Sequence, residues 1–126
     1  MSDVIPKIPV KYNFEILQGT DYTFQFQIQN YDASRFDLRS YRIKMQVKKG
    51  YTGAVIDEFD SSEGTLTRSS SNNDEIQDLV TVQFKHANTA EYPPGVLLYD
   101  VRLTSGGALM TKVLEGQIRC LANVTQ

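Results

Sequence analysis

The chain has 126 residues, of which 40% are hydrophobic and 22% charged, and its formal net charge is −2. These values are typical of one globular domain, and they exclude a disordered chain and a strongly basic nucleic-acid binder. One cysteine, Cys120, excludes an intramolecular disulfide and a cysteine-rich metal cluster.

The first segment, MSDVIPKIPV, lacks the apolar core of a signal peptide, and no run approaches the roughly 18 apolar residues of a membrane-spanning helix. We therefore expect no secretory leader and no membrane segment. Pro6 and Pro9 favour extended backbone, so residues 1–11 are predicted to be an extended N-terminal arm that packs on its own domain or on a neighbour. Its apolar candidate contact residues, costly to expose to water, are Val4, Ile5 and Ile8.

Two segments, YTFQFQIQ (22–29) and YRIKMQVK (41–48), alternate strictly between apolar and polar residues. Successive side chains of a strand point to opposite faces, so this pattern predicts strands with one buried and one solvated face. The solvated face of the first strand is an uncharged row, Gln25, Gln27 and Gln29. Because an uncharged strand offers little protection against pairing at an exposed edge, this row is a candidate partner contact. An ordinary solvated face is the alternative.

Less regular alternation predicts further strands in the segments KYNFEIL, AVIDEF, LVTVQF, GVLLYDVRL and LMTKVLEGQIRCLA. In the last of them the apolar phase slips after Val113 and Leu114, which predicts a β-bulge near Glu115 and Gly116. The stretch 61–78 is polar and is expected to be a long exposed loop, most mobile from Ser69 to Asp74.

About seven to eight strands, with at most one short helix near residues 87–92, predict an all-β protein. The pattern favours a two-sheet antiparallel β-sandwich of immunoglobulin-like architecture, and a barrel is the alternative. Residues 12–126 are predicted to form this single β-sandwich domain. The chain contains no tryptophan, so the likeness to immunoglobulin domains concerns architecture only.

The sequence offers no recognisable catalytic constellation. His86 is the one histidine, and its polar neighbours indicate a surface position. Cys120 lies on the apolar phase of the last predicted strand, which indicates a buried thiol. We therefore predict no enzymatic activity, no cofactor and no metal site.

Carboxylates occur in two clusters, which share a polar setting and are expected to be solvated surface charges: Asp57, Glu58 and Asp60, then Asp74, Glu75 and Asp78. Asp100 lies inside an apolar segment, on the face opposite Tyr99 and Val101. We expect it to pair with the basic neighbouring strand that carries Arg42 and Lys44.

Exposed aromatic side chains would suit a carbohydrate-binding module, a common role of β-sandwiches. Three tyrosines in predicted loops are the candidates for such a platform: Tyr31, Tyr51 and Tyr92. This function stays an alternative, and a glycan is then the partner.

Three segments carry a resemblance to a known family: ILQGTDYTFQFQI, FDLRSYRIKMQVKK and NTAEYPPGVLLYDVRLTSGGALMTKVLEGQIRC. They resemble small β-sandwich structural proteins of tailed bacteriophages, including N-terminal domains of baseplate proteins that hold receptor-binding proteins. The matching positions are mostly turn residues, and the likeness extends over about residues 12 to 122. They are Gly19, Thr20, Asp21, Asp37, Leu38, Tyr41, Thr89, Pro93, Pro94, Gly95, Tyr99, Asp100, Glu115 and Gly116.

The resemblance implies a non-enzymatic structural protein of the virion, made in the host cytoplasm, in the tail, baseplate or fibre attachment. Its partners would be other virion proteins, with many copies in a symmetric assembly, and neither nucleic acid nor membrane. A head decoration or head–tail joining protein is the alternative. The arm and the Ser/Asn-rich stretch depart from the family pattern.

Overall fold

In a computed structural model of the chain, the structure describes residues 10–29, 34–50, 53–105 and 110–122. These residues form short strands and one single-turn helix, which are β1 (Val10–Lys11), β2 (Phe14–Leu17), β3 (Tyr22–Gln27), β4 (Arg42–Lys48), β5 (Val55–Asp60), β6 (Leu66–Ser69), β7 (Leu79–Phe84), α1 (His86–Thr89), β8 (Gly95–Thr104) and β9 (Met110–Leu121). The prediction of a mostly β chain with at most one short helix is confirmed, although the helix, His86–Thr89, ends earlier than the predicted range 87–92. Within the described ranges, no helix is long and apolar enough to cross a membrane.

The strands form two sheets. The large sheet has the order β1-β9-β8-β4-β5, with β2 also paired to β9, and the small sheet has the order β3-β7-β6. Most neighbours are antiparallel, as predicted, but β1 and β2 run parallel to β9. The prediction of wholly antiparallel pairing was wrong at this edge. Nearly the whole chain separates these partners, so no hairpin turn sets their relative direction.

Both sheets bury one face in a common apolar cluster. The strict alternation predicted for β4 is confirmed, because Ile43, Met45 and Val47 are all fully buried. Aromatic rings join the two sheets: Phe14 stacks on Phe24 at a centroid distance of 4.5 Å. Such ring pairs contribute about 0.5–1.5 kcal/mol each beyond the burial of their area.

The predicted β-bulge exists, but it lies earlier in β9 than expected. Val101 faces Leu114 while Arg102 faces Lys112, so Val113 is the extra residue. The bulge turns both Val113 and Leu114 inward, and each is 6% exposed. The slip in apolar phase therefore marked the bulge itself, and the prediction of Glu115 and Gly116 was wrong.

Gly116 has a different role, which is to let the link between β1 and β2, residues 12 and 13, lie close against β9. At this link Tyr99 Oη donates to the Tyr12 carbonyl at 2.6 Å, and the Gln117 amide donates to Asn13 Oδ1 at 2.9 Å. A Cβ on Gly116 would lie 1.9 Å from the Tyr12 oxygen. Only glycine permits this close approach of two backbones.

The polar stretch 61–78 contains a strand that its composition does not indicate. Leu66–Ser69 forms β6 and pairs antiparallel with β7, with Leu66 opposite Val82. Leu66 is 1% exposed. A single apolar side chain therefore anchors this strand in the core, and the prediction of one long exposed loop was wrong here.

Candidate interaction surface

Of the two residues considered for catalysis, His86 is bonded to Asp21 and Cys120 is buried. The His86 ring is exposed, with Nδ1 3.0 Å from Asp21 Oδ1, and the His86 amide donates to the same oxygen at 2.6 Å. Asp21 thus ties the start of α1 to the turn before β3. Cys120 is buried, as predicted, and burial raises the pKa of its thiol. In the ranges that the structure describes, no group of three His, Cys, Asp or Glu side chains is arranged to hold a metal ion.

The first carboxylate cluster lies on a strand rather than in a loop, since Asp57, Glu58 and Asp60 all belong to β5. Asp60 is 1% exposed and receives two bonds from the Arg42 guanidinium, at 3.0 and 2.6 Å. This pairing holds the pKa of Asp60 well below its usual range. The prediction of a solvated surface charge was wrong for Asp60, because Arg42 supplies the partner that a buried carboxylate needs.

The second cluster contains another buried carboxylate. Asp78 is fully buried and accepts from Arg35 Nε at 3.0 Å, the Ser71 amide at 2.9 Å and Gln27 Nε2 at 2.6 Å. Arg35 also bonds Asp74 at 2.7 Å. The segment from Ser70 to Asp78 is therefore bonded to the small sheet. Asp78 is not the solvated loop charge that was predicted.

These carboxylates make stability depend on pH. Burial alone would raise the pKa of Asp78, but bonds from Arg35, Ser71 and Gln27 outweigh burial and lower that pKa. In the unfolded chain an aspartate titrates near pH 3.9, so below that value the unfolded state binds more protons than the folded state. The stabilisation is present above about pH 4 and is lost as pH falls towards the folded pKa.

We expect the free energy of unfolding, measured in urea, to fall between about pH 5 and pH 3. Asp78→Asn keeps the shape of the side chain and removes its titration, so its decline over this interval is expected to be shallower. Equal slopes for the two proteins would contradict the assignment of this acid sensitivity to Asp78.

Asp100 does not pair with the basic strand. Its register neighbour on β4 is Gln46, and its carboxylate lies 3.2 Å from Arg102 on its own strand and 3.8 Å from Lys112 on β9. Two basic side chains of β4 pair with β5 instead, Arg42 with Asp60 and Lys44 with Glu58. The predicted contact was wrong because strand order gives β4 a second, acidic neighbour. The outer face of the large sheet thus carries several ion pairs, among them those of Arg42, Lys44 and Asp100.

The outer face of the small sheet is different, because it carries uncharged side chains that donate hydrogen bonds to one another. Thr23 Oγ1 donates to Gln83 Oε1 at 2.7 Å, and Gln25 Nε2 donates to Thr81 Oγ1 at 2.9 Å. Register places Gln25, Thr81 and Thr67 in one row across the sheet. The Gln row of β3 is exposed, as the alternation predicted.

A groove of about 570 Å³ lies beside β3, which is an edge strand of the small sheet. We call it the edge groove, and it is lined by Val10, Tyr12, Tyr22, Thr23, Phe24, Gln25, Phe26, Gln27, Ile28, Gln29, Val113 and Leu114. None of these side chains is charged, although 22% of the chain is. Val10 and Tyr12 are 59% and 51% exposed at its rim. An uncharged strand edge beside apolar side chains is suited to an extended peptide segment.

The structure brings together three of the predicted contact residues, since Gln25, Gln27 and Gln29 all line the edge groove. The other predicted contacts, Val4, Ile5, Ile8, Tyr31 and Tyr51, lie outside the described residues. Sequence reasoning missed the apolar side of the groove. Its members are Val10, Tyr12, Val113 and Leu114. The adjacent apolar residues Val113 and Leu114 were the feature of the sequence that could have indicated this apolar side.

Tyr92, predicted as an exposed aromatic, is 1% exposed and donates from its hydroxyl to Asp57 at 2.6 Å. It packs edge-on against Phe84 in the core. The prediction was wrong because the turn after α1 directs this ring inward. A carbohydrate platform therefore loses one of its three candidate tyrosines.

Comparison of the sequence with models of known protein families gives no match, and comparison with curated proteins gives no significant similarity.

Proposed function

We propose that this protein is a non-enzymatic structural component of a tailed-phage virion, in the tail, baseplate or fibre attachment. The observation that carries the proposal is the edge groove, an uncharged strand edge beside exposed apolar side chains. Such a surface supports protein–protein contact by strand addition, which assembly proteins use. The phage assignment rests on the resemblance of the turn motifs.

The proposal includes the architecture that the resemblance implies. Phe14–Phe24 and Phe59–Phe84 ring contacts at 4.5 and 4.8 Å link one face of each sheet, as in an immunoglobulin-like β-sandwich. Two sheets that share a core in this way leave their outer faces, their edges and their loops for neighbouring proteins. A virion component in a symmetric assembly uses several such surfaces at once.

Contacts of the motif residues support a fold-keeping role for the resemblance. Thr89, fully buried, donates from Oγ1 to the Thr20 carbonyl at 2.7 Å, which joins the first and third motifs. Asp37 of the second motif accepts the Arg39 amide at 3.1 Å and the Gln77 amide at 3.3 Å. These bonds hold the turns in place, and they favour no particular position in the virion.

The proposal is tested on purified tailed particles of the source. We expect peptides of this chain in many copies per particle by quantitative mass spectrometry, and gold-labelled antibody at the tail or its tip. Soluble host proteins of similar abundance in the lysate serve as the control. Gold on the head would favour the decoration or joining role, and absence from particles would overturn the proposal.

A further inference from the structure

We infer that a polar pocket on the outer face of the large sheet binds an acidic oligosaccharide, a short chain of sugar rings that carry carboxylates. The pocket has a volume of about 400 Å³ and extends from β1 across β9 and β8 to β4. We call it the face pocket, and its polar lining includes Lys11, Asn13, Gln46, Lys48, Asp100 and Gln117. Its volume is within the range of sites for small ligands. The inference goes beyond the proposed assembly function and does not depend on it.

The first argument is the charge of the face pocket, whose basic side chains outnumber its acidic ones although the chain has a net charge of −2. Its ionisable residues are Lys11, Lys48, Arg102 and Lys112, then Asp100 and Glu115. Arg102 and Lys112 pair with Asp100, whereas Lys11 and Lys48 form no ion pair with another described residue. These two lysines are therefore able to bind carboxylates of a ligand.

The second argument is the distance between the two lysines. Strand register aligns Lys11, Glu115 and Asp100 in one row across β1, β9 and β8. The row continues to Gln46 on β4, and Lys48 follows on the same face of that strand. Three strand spacings, about 14 Å, separate β1 from β4. The two lysines thus lie at opposite ends of the face pocket with a carboxylate between them, so an extended ligand is needed to contact both.

The third argument is the hydrogen bonding of the central carboxylate. Arg102 and Lys112 both approach Asp100 Oδ2, at 3.2 and 3.8 Å, whereas Oδ1 is buried and has no hydrogen-bond partner among the described residues. A buried acceptor without a donor is unfavourable. Because the terminal torsion of an aspartate is broad, a small rotation presents this oxygen to the pocket. A ligand hydroxyl is able to donate to it, while a ligand that only accepts is repelled.

The fourth argument is the mixture of donors and acceptors around Asp100. Asn13 Oδ1 accepts the Gln117 amide, which leaves Asn13 Nδ2 as a donor. Gln46 Nε2 donates to Glu58 at 2.7 Å, which leaves Gln46 Oε1 as an acceptor. A hydroxyl group donates and accepts at once, so the hydroxyls of a sugar match this lining.

A nucleic acid fits the face pocket less well than a sugar acid. Its bases would need an aromatic surface on which to stack. Tyr99 is the aromatic residue of the lining, and it is 3% exposed. Half-buried Leu98 instead offers a small apolar surface, which suits the C–H groups of a sugar ring.

The test titrates the ¹⁵N-labelled full chain with three probes and follows the backbone amide signals by NMR. Trigalacturonate carries hydroxyls and carboxylates, maltotriose carries hydroxyls alone, and triglutamate carries carboxylates without hydroxyls. We expect trigalacturonate to shift the amides of Gln46, Asp100 and Gln117 in a saturable manner, and to bind roughly tenfold more tightly than either other probe. The amide of Thr81, on the outer face of the small sheet, is the internal control.

Each other outcome overturns the inference. Equal binding of maltotriose would show that the lysines do not select an acidic ligand. Equal binding of triglutamate would assign the surface to an acidic peptide, since hydroxyls would then contribute nothing. Trigalacturonate that gives no saturable shift, or shifts Thr81 as much as Asp100, would remove the site.

Matched lysine variants give a second readout of the same site. Lys48→Gln removes a charge from the face pocket, and Lys85→Gln removes the same charge from an exposed position after β7. Both lysines lie at the surface, so neither change disturbs the core. We expect Lys48→Gln to raise the Kd for trigalacturonate roughly fivefold and Lys85→Gln to leave it unchanged. Equal effects of the two variants would contradict binding at the face pocket.

Discussion

Gly116→Ala is expected to lower the free energy of unfolding by about 3 kcal/mol, measured by urea denaturation. The added Cβ would lie 1.9 Å from the Tyr12 oxygen and 2.7 Å from the Tyr12 carbonyl carbon, and both are backbone atoms. To relieve this clash, the link between β1 and β2 has to move away from β9. Such a movement also breaks the bond from Tyr99 Oη to the Tyr12 carbonyl.

Gly64→Ala is the matched control. Gly64 has φ +78°, and a Cβ built there meets no atom within 4 Å. The control carries the cost of the left-handed conformation alone, about 1 to 2 kcal/mol. A loss in Gly116→Ala no larger than that in Gly64→Ala would contradict the steric cost expected from the close approach at Gly116. We also expect Gly116→Ala to speed amide hydrogen exchange in β2, because parallel pairing to β9 is weakened.

Asp78→Ala is expected to lower the free energy of unfolding by about 3 kcal/mol or more. Asp78 is fully buried, and its removal leaves Arg35, the Ser71 amide and Gln27 without their shared acceptor. A buried charge network that loses one partner costs more than the pair contributes, since the remaining groups stay desolvated. Urea denaturation at neutral pH measures the loss.

Asp74→Ala provides the comparison, because Asp74 also bonds Arg35 but its side chain is 39% exposed. Water replaces much of that contact, so we expect a loss below about 1 kcal/mol. A larger loss in Asp74→Ala than in Asp78→Ala would contradict the assignment of the buried carboxylate as the anchor of this segment.

The best sequence predictions concern strands whose own side chains decide their burial. β4 and β7 match the predicted alternation, because each inward position carries a large apolar residue. β6 escaped prediction since Leu66 is its one apolar side chain, and its burial depends on Val82 of a strand elsewhere in the chain. For the same reason Asp78 was misjudged, as its partner Arg35 lies 43 residues away.

The candidate site likewise has one part that the sequence predicts and another that depends on the fold. The uncharged Gln row of β3 follows from the sequence alone, and it lines the edge groove. That β3 is an edge strand does not follow, because strand order is a property of the whole sheet. The apolar side of the groove comes from β1 and the bulge in β9, which meet β3 only through folding.

The sequence by itself determined the all-β class, the inward faces of the main strands, the single-turn helix and the uncharged character of β3. Each of these depends on the period-two pattern or on the chain-breaking residues within one short segment. Tertiary structure alone decided the parallel pairing of β1 and β2 with β9, the burial of Asp60 and Asp78, and the position of the edge groove. These depend on contacts between distant segments, and a local pattern carries no information about which distant partner a strand edge or a carboxylate meets.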